Sequence, residues 1–429
     1  MRGRYGSRPG TLPRLRPEPS RAGASRPGEC EGGDRAVSAH VAVADTASER
    51  APPALIEIFP LMLVYAVGFM SATYLPVWVT EASVRYGVSA ATAGMIGSYE
   101  LGAIAVATIL SAALRTPGAS RAPMVGALIV SIAFNVLTAM AHSIEIFTVT
   151  LIVSGLANGF LLAEVNGRAA ASAAPHRIFA GQLFVMMSCA VVFFAAAPRL
   201  LHAWGPGAAF FYCAIAGVLG LLSLLKLERC DARGAAAAGK SKFRFQATGL
   251  LLLAAPTLLF VSMNVIWPFI GPEAARAGVS LATYSKALSA GALINLTGPI
   301  LAHRLLRSSV SRPMLMTVGI IAMLSCAASI TAIAAAGAFI VGVMMLPFFL
   351  LVLVPFYLVE LLASDASGKY VAVTPAFFMI GTAVGPAVGG LALHALGMSG
   401  VAVASMLAPV LALVATLAGA ARLSRRLAH

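Results

Sequence analysis

Charged residues are scarce in this chain of 429 residues. Asp, Glu, Lys and Arg together make up 11% of it, against about 25% in soluble domains. Acidic residues are the scarcest, with 16 Asp and Glu against 30 Lys and Arg. So little polar surface cannot cover a water-soluble globule of this size. The scarcity excludes an ordinary soluble protein and leaves the 59% of hydrophobic residues to be explained.

Residues that carry common site chemistry are also few. Five cysteines and seven histidines show neither metal-ligand spacing nor a disulfide framework. The chain has no glycine-rich phosphate loop ending in lysine, which argues against ATP-driven transport. It has no His, Asp or Glu cluster suited to acid–base chemistry at a membrane surface. We therefore expect no metal, no cofactor and no enzymatic activity, with a polytopic membrane transferase as a remote alternative.

The hydrophobic residues are gathered into twelve long runs. Each is close to the roughly 20 residues that cross a hydrocarbon core as a helix. The predicted spans are 58–80, 93–114, 123–141, 146–168, 178–198, 207–227, 248–270, 282–304, 313–334, 337–362, 371–394 and 399–421. The runs lack the apolar–polar alternation of membrane strands. The sequence predicts an all-α polytopic membrane protein with twelve transmembrane helices.

The net charge of +14 is distributed unevenly across these spans. Only four of the 30 Lys and Arg residues fall on one side of the membrane, namely Arg85, Arg199, Arg276 and Lys286. Because basic residues concentrate in cytoplasmic loops, this bias places both termini in the cytoplasm. The lipid bilayer accounts for the charge, so we expect no nucleic-acid partner. The predicted location is the plasma membrane, as in a bacterial inner membrane.

Two polar segments divide the chain. Residues 1–53 are rich in Arg, Pro, Gly and Ser and contain no apolar run, so we expect a disordered cytoplasmic segment. Residues 228–247 form a polar interruption between the sixth and seventh spans. The predicted organisation is a six-helix half at 54–227, a cytoplasmic linker at 228–247, and a second six-helix half at 248–429.

A phrase from the first half is repeated in the second. "YLPVWVTEASVRYGVSAAT" (74–92) corresponds to "IWPFIGPEAARAGVSLAT" (266–283), with an offset of 191 or 192 residues. The matched pairs are Pro76 and Pro268, Glu81 and Glu273, Arg85 and Arg276, and Gly87 and Gly278. Six spans separate the copies, so the two halves have the same orientation in the membrane. We infer two parallel six-helix repeats.

Twelve spans in two parallel halves, with a basic central segment, resemble the major facilitator superfamily of secondary transporters. The segment "GTAVGPAVGG" (381–390) is similar to a drug-antiporter signature, here in the eleventh span, and "GMIGSYELGAIAVA" (94–107) resembles a little-described bacterial branch. Two family motifs are altered, with Arg115 in an acidic slot and Leu151 in a slot that often holds Arg. The resemblance implies a monomer with a cavity between its halves. The first, second, fourth and fifth helices of each half would line it.

Glu100 is the leading candidate for proton coupling. It lies eight residues past Thr92, or about 12 Å along a helix of 1.5 Å rise, near the middle of the second span. Ionisable groups inside the bilayer are costly and commonly functional. A structural carboxyl group that is satisfied by a neighbouring helix is the alternative.

Several polar and aromatic residues are candidates for the substrate cavity: Tyr74, Tyr99, Asn158, Asn264, Trp267, Lys286 and Asn295. The carboxamides can both donate and accept hydrogen bonds, and the rings can form an aromatic wall. The alternatives are hydrogen bonds between helices for the asparagines and core packing for the rings. Lys286 could instead extend to the membrane surface.

Three charged residues near the ends of the fourth and tenth spans are candidates for a cytoplasmic gate. Glu164 and Arg168 are one helical turn apart and can pair. Glu360 is 192 residues after Arg168, so a bridge between them would join the two halves. Together these features predict a secondary transporter that exports a small organic molecule in exchange for protons. A proton-driven importer and an uncoupled facilitator remain open.

Overall fold

The computed structural model describes residues 55–114, 121–170, 172, 175–225, 246–364 and 369–427. The predicted disordered segment 1–53 and all but the last two residues of the predicted linker 228–247 lie outside these ranges. The helices, in span order, are Leu55–Thr73 with Leu75–Tyr86, Ala90–Leu114, Ala122–Met140, Ile144–Ala170, Pro175–Trp204, Ala208–Leu225, Ala247–Ile266 with Ile270–Arg276, Leu281–Asn295 with Gly298–Leu306, Arg312–Thr331, Ala336–Ser364, Lys369–Leu396 and Met398–Leu427.

The predicted all-helical membrane fold is confirmed. In the described part of the chain, ten helices are long and apolar enough to cross a membrane. The bent pair Ile58–Thr73 and Leu75–Tyr86, at 46°, makes eleven if it is counted as one span. Many helices run several residues past their predicted ends. The one remaining predicted span, the eighth, differs from the prediction.

The eighth span is interrupted rather than continuous. The segment 282–304 forms two helices, Leu281–Asn295 and Gly298–Leu306. Pro299 has no N–H group, so it cannot bond the carbonyl oxygen of Asn295 as a helix residue would. The chain tightens instead: the Thr297 N–H and hydroxyl groups both donate to the carbonyl oxygen of Ile294, at 2.9 and 2.7 Å. The break places a non-helical step just past the middle of this span.

The two halves pack their helices in the same way. In the first half, the first span lies against the fourth, fifth and sixth, and the third lies against the fourth and sixth. The seventh and ninth spans repeat these contacts in the second half. Between the halves, the second span packs on the eleventh and the fifth packs on the eighth. The second span is equivalent to the eighth and the fifth to the eleventh, so the two contacts are equivalent by the symmetry of parallel repeats.

The repeated phrase has the same structural role in both halves. Pro76 and Pro268 each stand in the first turn of a new helical segment within the first and seventh spans. Gly87 and Gly278 have φ of 62° and 69°, values that favour glycine. We call the membrane face at these turns the opposite face. The other face, where the described chain begins and ends, is the terminal face.

The repeated arginines cap the third span of each half. Arg85 Nη1 donates to the carbonyl oxygen of Ala139 at 3.0 Å. Arg276 Nη2 donates to the carbonyl oxygens of Ile330 and Thr331, at 3.2 and 2.7 Å. Ile330 is 191 residues after Ala139, the same offset that separates the arginines. A cation at a helix C-terminus stabilises carbonyl groups that lack helical partners.

Arg276 also forms an ion pair with a buried glutamate of its own helix. Its Nε lies 2.7 Å from Oε2 of Glu273, whose side chain is fully buried. We expect Arg276→Gln to destabilise the protein by about 2–3 kcal/mol, because it leaves a buried carboxylate without its cation. Arg85→Gln removes a single cap bond and should cost about 1 kcal/mol. Thermal unfolding in detergent measures both. Arg276→Gln combined with Glu273→Gln should recover stability. Equal losses in Arg276→Gln and Arg85→Gln would contradict this account.

Candidate functional site

A cavity of about 340 Å³ lies between the two halves. The first, second, fourth and fifth spans and their equivalents in the second half all contribute to its wall. The lining residues are Tyr65, Phe69, Ala72, Thr73, Thr108, Leu162, Asn166, Leu183, Met186, Met187, Ala190, Phe194, Phe260, Met263, Asn264, Trp267, Leu288, Gly291, Ala292, Asn295, Val343, Pro347, Leu350, Leu351, Pro375, Phe378, Met379 and Thr382. The cavity is thus built on the axis that relates the repeats.

The cavity wall is mostly aromatic, aliphatic and methionine side chains. Phe260 and Phe378 stack with their ring centroids 4.6 Å apart, and Tyr65 lies beside Phe69 at 5.3 Å. Its polar groups are three carboxamides, three threonine hydroxyls, the tyrosine hydroxyl and the indole N–H group. None of the described lining residues carries a charge. Such a wall is typical of sites for small organic ligands.

Three of the residues predicted for the cavity lie on its wall: Asn264, Trp267 and Asn295. Asn264 Nδ2 donates to the carbonyl oxygen of Phe260 at 2.9 Å, which fixes the orientation of its carboxamide. Trp267 Nε1 donates across the halves to the carbonyl oxygen of Thr73 at 3.3 Å. Asn295 is the last residue of the helix before the break in the eighth span.

The other four predicted cavity residues do not line it. Tyr74 is fully buried behind the wall, where it stacks on Phe193 at 3.8 Å. Asn158 Oδ1 accepts a hydrogen bond from Ser131 Oγ at 2.7 Å, which joins the third and fourth spans. Tyr99 is 49% exposed on the outer surface of the second span. Lys286 is exposed, in keeping with the alternative that it extends to the membrane surface.

Asn166 and the four methionines were missed by sequence reasoning. Asn166 sits between Glu164 and Arg168 near the end of the fourth span, so it resembles part of a polar helix end. Met186, Met187, Met263 and Met379 lie in spans that are apolar on every side. Such spans have no polar face to indicate how each helix is rotated. No sequence signal could have selected these residues.

Glu100 is fully buried, and neither of its carboxyl oxygens has a hydrogen-bond partner among the described residues. It does not line the cavity but lies inside the first half, where Ser71 of the first span faces it. Gly155 of the fourth span packs on its backbone: a Cβ atom there would stand 2.8 Å from the Glu100 carbonyl oxygen. This close helix contact leaves the carboxyl group enclosed near the middle of the helix Ala90–Leu114.

The cavity is closed at the opposite face. The Trp267–Thr73 hydrogen bond joins the two halves there. Just beyond it, Thr80 lies against Gly271 and the ring of Phe269 lies against Gly94. Further into the membrane, Ser289 Oγ donates to the carbonyl oxygen of Val191 at 3.0 Å. The contacts of Trp267, Thr80 and Phe269 close the opposite face, and the Ser289 contact lies beside the cavity, next to Leu288 and Ala190 of its wall.

The predicted gate residues pair within their own halves. Arg168 Nη2 lies 3.6 Å from Oε2 of Glu164, and Glu360 Oε1 lies 3.2 Å from Nη1 of Arg312. The expected bridge between Arg168 and Glu360 is therefore not formed in this conformation. Both ends of that bridge are held by partners on neighbouring turns or helices of the same half.

The glycines of the "GTAVGPAVGG" run account for how the eleventh span packs. A Cβ atom on Gly381 or Gly389 would stand 2.6 Å from the carbonyl oxygens of Thr257 or Val265 in the seventh span. A Cβ atom on Gly390 would stand 3.1 Å from the carbonyl oxygen of Ala91 in the second span. Small residues at this spacing allow helix backbones to approach closely in a membrane.

Solved structures show which fold this arrangement represents. A bacterial homologue of the human lysosomal transporter Spinster, inward-facing and occupied, superposes with a TM-score of 0.63 at 13% identity, over 86% of this chain and 96% of its own. A point mutant of the nucleoside transporter NupG gives 0.63 at 12% identity, over 85% and 99%. The chain has the fold of the major facilitator superfamily.

The same Spinster homologue in its inward-facing, unoccupied form gives a TM-score of 0.60 at 13% identity, over 85% of this chain and 95% of its own. The sequence matches no family model and no curated protein. The major facilitator fold predicted from the repeat and the twelve runs is therefore confirmed by structure. A multi-pass membrane protein with a central cavity follows directly from it.

Proposed function

We propose that the protein is a secondary transporter that moves a small organic molecule across the membrane by alternating access. The observation that carries the proposal is the cavity on the repeat axis, enclosed by both halves and closed at one face. A solute bound there becomes accessible from the other side when the halves rock about it. The terminal face is the cytoplasmic face, since basic residues concentrate there. The protein works as a monomer in a bacterial inner membrane.

Proton exchange at Glu100 supplies the driving force in this proposal. A carboxyl group enclosed without partners is far more stable when protonated than when charged. A change in packing between the first, second and fourth spans would expose the group and release the proton. The inward flow of protons then drives export of the solute.

The gate at the cytoplasmic face is formed by an exchange of ion-pair partners. When the cavity opens outward, the fourth and tenth spans approach each other at this face. Arg168 then leaves Glu164, and Glu360 leaves Arg312, to form a bridge between the halves. The pairs present in this conformation hold the same side chains while the gate is open.

Reconstituted protein tests the proposal. The protein is placed in liposomes that contain a pH-sensitive dye, and small organic solutes are added in turn outside. We expect at least one solute to cause proton movement that empty liposomes do not show. The matched control is protein heated until it unfolds before reconstitution. If no solute in a chemically broad set moves protons or exchanges with labelled solute inside, the protein is not a transporter of this kind.

A further inference from the structure

Three carboxamides provide most of the hydrogen-bonding capacity of the cavity, one each from the fourth, seventh and eighth spans. Asn264 already uses its Nδ2 within its own helix. Asn166 Oδ1 and Asn295 Oδ1 are buried and have no donor among the described residues. Asn295 is only 7% exposed and lies on the cavity wall. A buried acceptor without a donor destabilises the protein by roughly the free energy of desolvating that group.

The break in the eighth span adds a second acceptor at the same residue. The main-chain carbonyl oxygen of Asn295 loses its helical donor because residue 299 is proline. Asn295, a residue of the cavity wall, therefore has two oxygens without a protein donor among the described residues, the side-chain Oδ1 and the main-chain carbonyl oxygen. A ligand N–H or O–H group that reached this edge would restore hydrogen bonds that the protein itself does not supply.

The remainder of the wall disfavours an ionic ligand. No described lining residue offers a countercharge, and burying an ion without one costs several kcal/mol. The stacked pair Phe260 and Phe378 and the indole of Trp267 instead provide flat apolar surfaces. Aromatic rings pack well against such surfaces.

We propose that the cavity binds an uncharged, ring-bearing organic molecule that donates a hydrogen bond to Asn295 or Asn166. The proposal rests on the transport function above, because it names the class of solute that the same cavity takes. Asn166 and the break after Asn295 are the specificity-determining features. The apolar walls hold the body of the ligand, and the carboxamide oxygens hold its donor end.

Four naphthalene probes of nearly equal size test the inference on purified wild-type protein. They are 2-naphthamide (neutral, with a donor), 2-acetylnaphthalene (neutral, without one), 2-naphthoate (an anion) and 2-naphthylmethylammonium (a cation). Their affinities are measured by calorimetry in detergent at pH 7. We expect 2-naphthamide to bind best, about two- to tenfold tighter than 2-acetylnaphthalene, which corresponds to one hydrogen bond. Both ions should bind more weakly than either neutral probe.

Two variants locate the donor contact. Asn295→Leu and Asn166→Leu are compared, and at least one should reduce 2-naphthamide affinity to that of 2-acetylnaphthalene while the latter stays unchanged. Lys286→Gln is the matched control, since Lys286 is exposed and lies off the cavity wall. It should leave all four affinities unchanged. The inference is overturned if either ion binds best, if no probe binds, or if neither variant separates the two neutral probes.

Binding and transport can fail separately in these experiments. Calorimetry in detergent requires no membrane and no gradient. If 2-naphthamide binds as expected but no solute moves in liposomes, the ligand class stands and the transport function fails. If liposomes accumulate or release only ionic solutes, the transport function stands and the ligand class fails.

Discussion

Glu100→Gln is expected to abolish solute-driven proton movement while leaving solute exchange across the membrane intact. Glutamine has nearly the same shape as protonated glutamate, so the packing of Gly155 on this part of the second span should be preserved. It cannot release a proton, however. Proton movement in liposomes should therefore fall to the level of empty vesicles, a loss of at least about tenfold, whereas exchange of labelled for unlabelled solute continues.

The surroundings of Glu100 account for this large expected effect. The carboxyl group is fully buried in a membrane-spanning helix, and neither oxygen has a partner among the described residues. A carboxyl group kept for structure alone would be expected to have such partners. Burying this carboxyl group inside the membrane therefore costs free energy, as is common for functional ionisable groups there.

Glu81→Gln is the matched control for Glu100→Gln. Glu81 is a partly buried glutamate in the bent continuation of the first span at the opposite face. Its variant should retain both proton movement and solute exchange. If Glu100→Gln still moves protons with solute at the wild-type rate, the coupling site lies elsewhere. If it loses solute exchange as well, Glu100 supports the fold or the cavity rather than coupling.

The membrane architecture could be predicted from sequence because it depends on length and composition. Runs of about 20 apolar residues define spans whatever their neighbours are. The repeat could also be predicted from sequence, because proline and arginine each suit a particular local geometry. The pairs are Pro76 with Pro268 and Arg85 with Arg276. The two prolines each begin a new helical segment, and the two arginines each cap the C-terminus of the third helix of their half.

The cavity wall could be predicted only in part, because it depends on helix rotation. Tyr99 and Glu100 are neighbours in sequence, yet one is 49% exposed and the other fully buried. Residue type alone selects polar residues in apolar helices, of which Asn264 and Asn295 line the cavity and Asn158 does not. The break at Leu296 and Thr297 was missed, although Pro299 was a visible signal for it.

The halves should be locked by a disulfide bond at the opposite face, with complete loss of transport. Thr80 belongs to the first half and Gly271 to the second. A Cβ atom built on Gly271 stands 3.1 Å from Cβ of Thr80, close to the roughly 3.5–4.5 Å found in disulfides. Thr80→Cys combined with Gly271→Cys should therefore cross-link under mild oxidation. The halves could then no longer separate at this face.

The most direct test of alternating access is solute exchange by this double variant before and after oxidation. The matched controls are the two single variants treated with the same oxidant, because the chain contains five native cysteines. We expect the cross-linked protein to lose exchange completely and a reductant to restore it, with both controls active throughout. Full exchange by protein that is shown to be cross-linked would contradict the claim that solute crosses by rocking of the two halves about the central cavity.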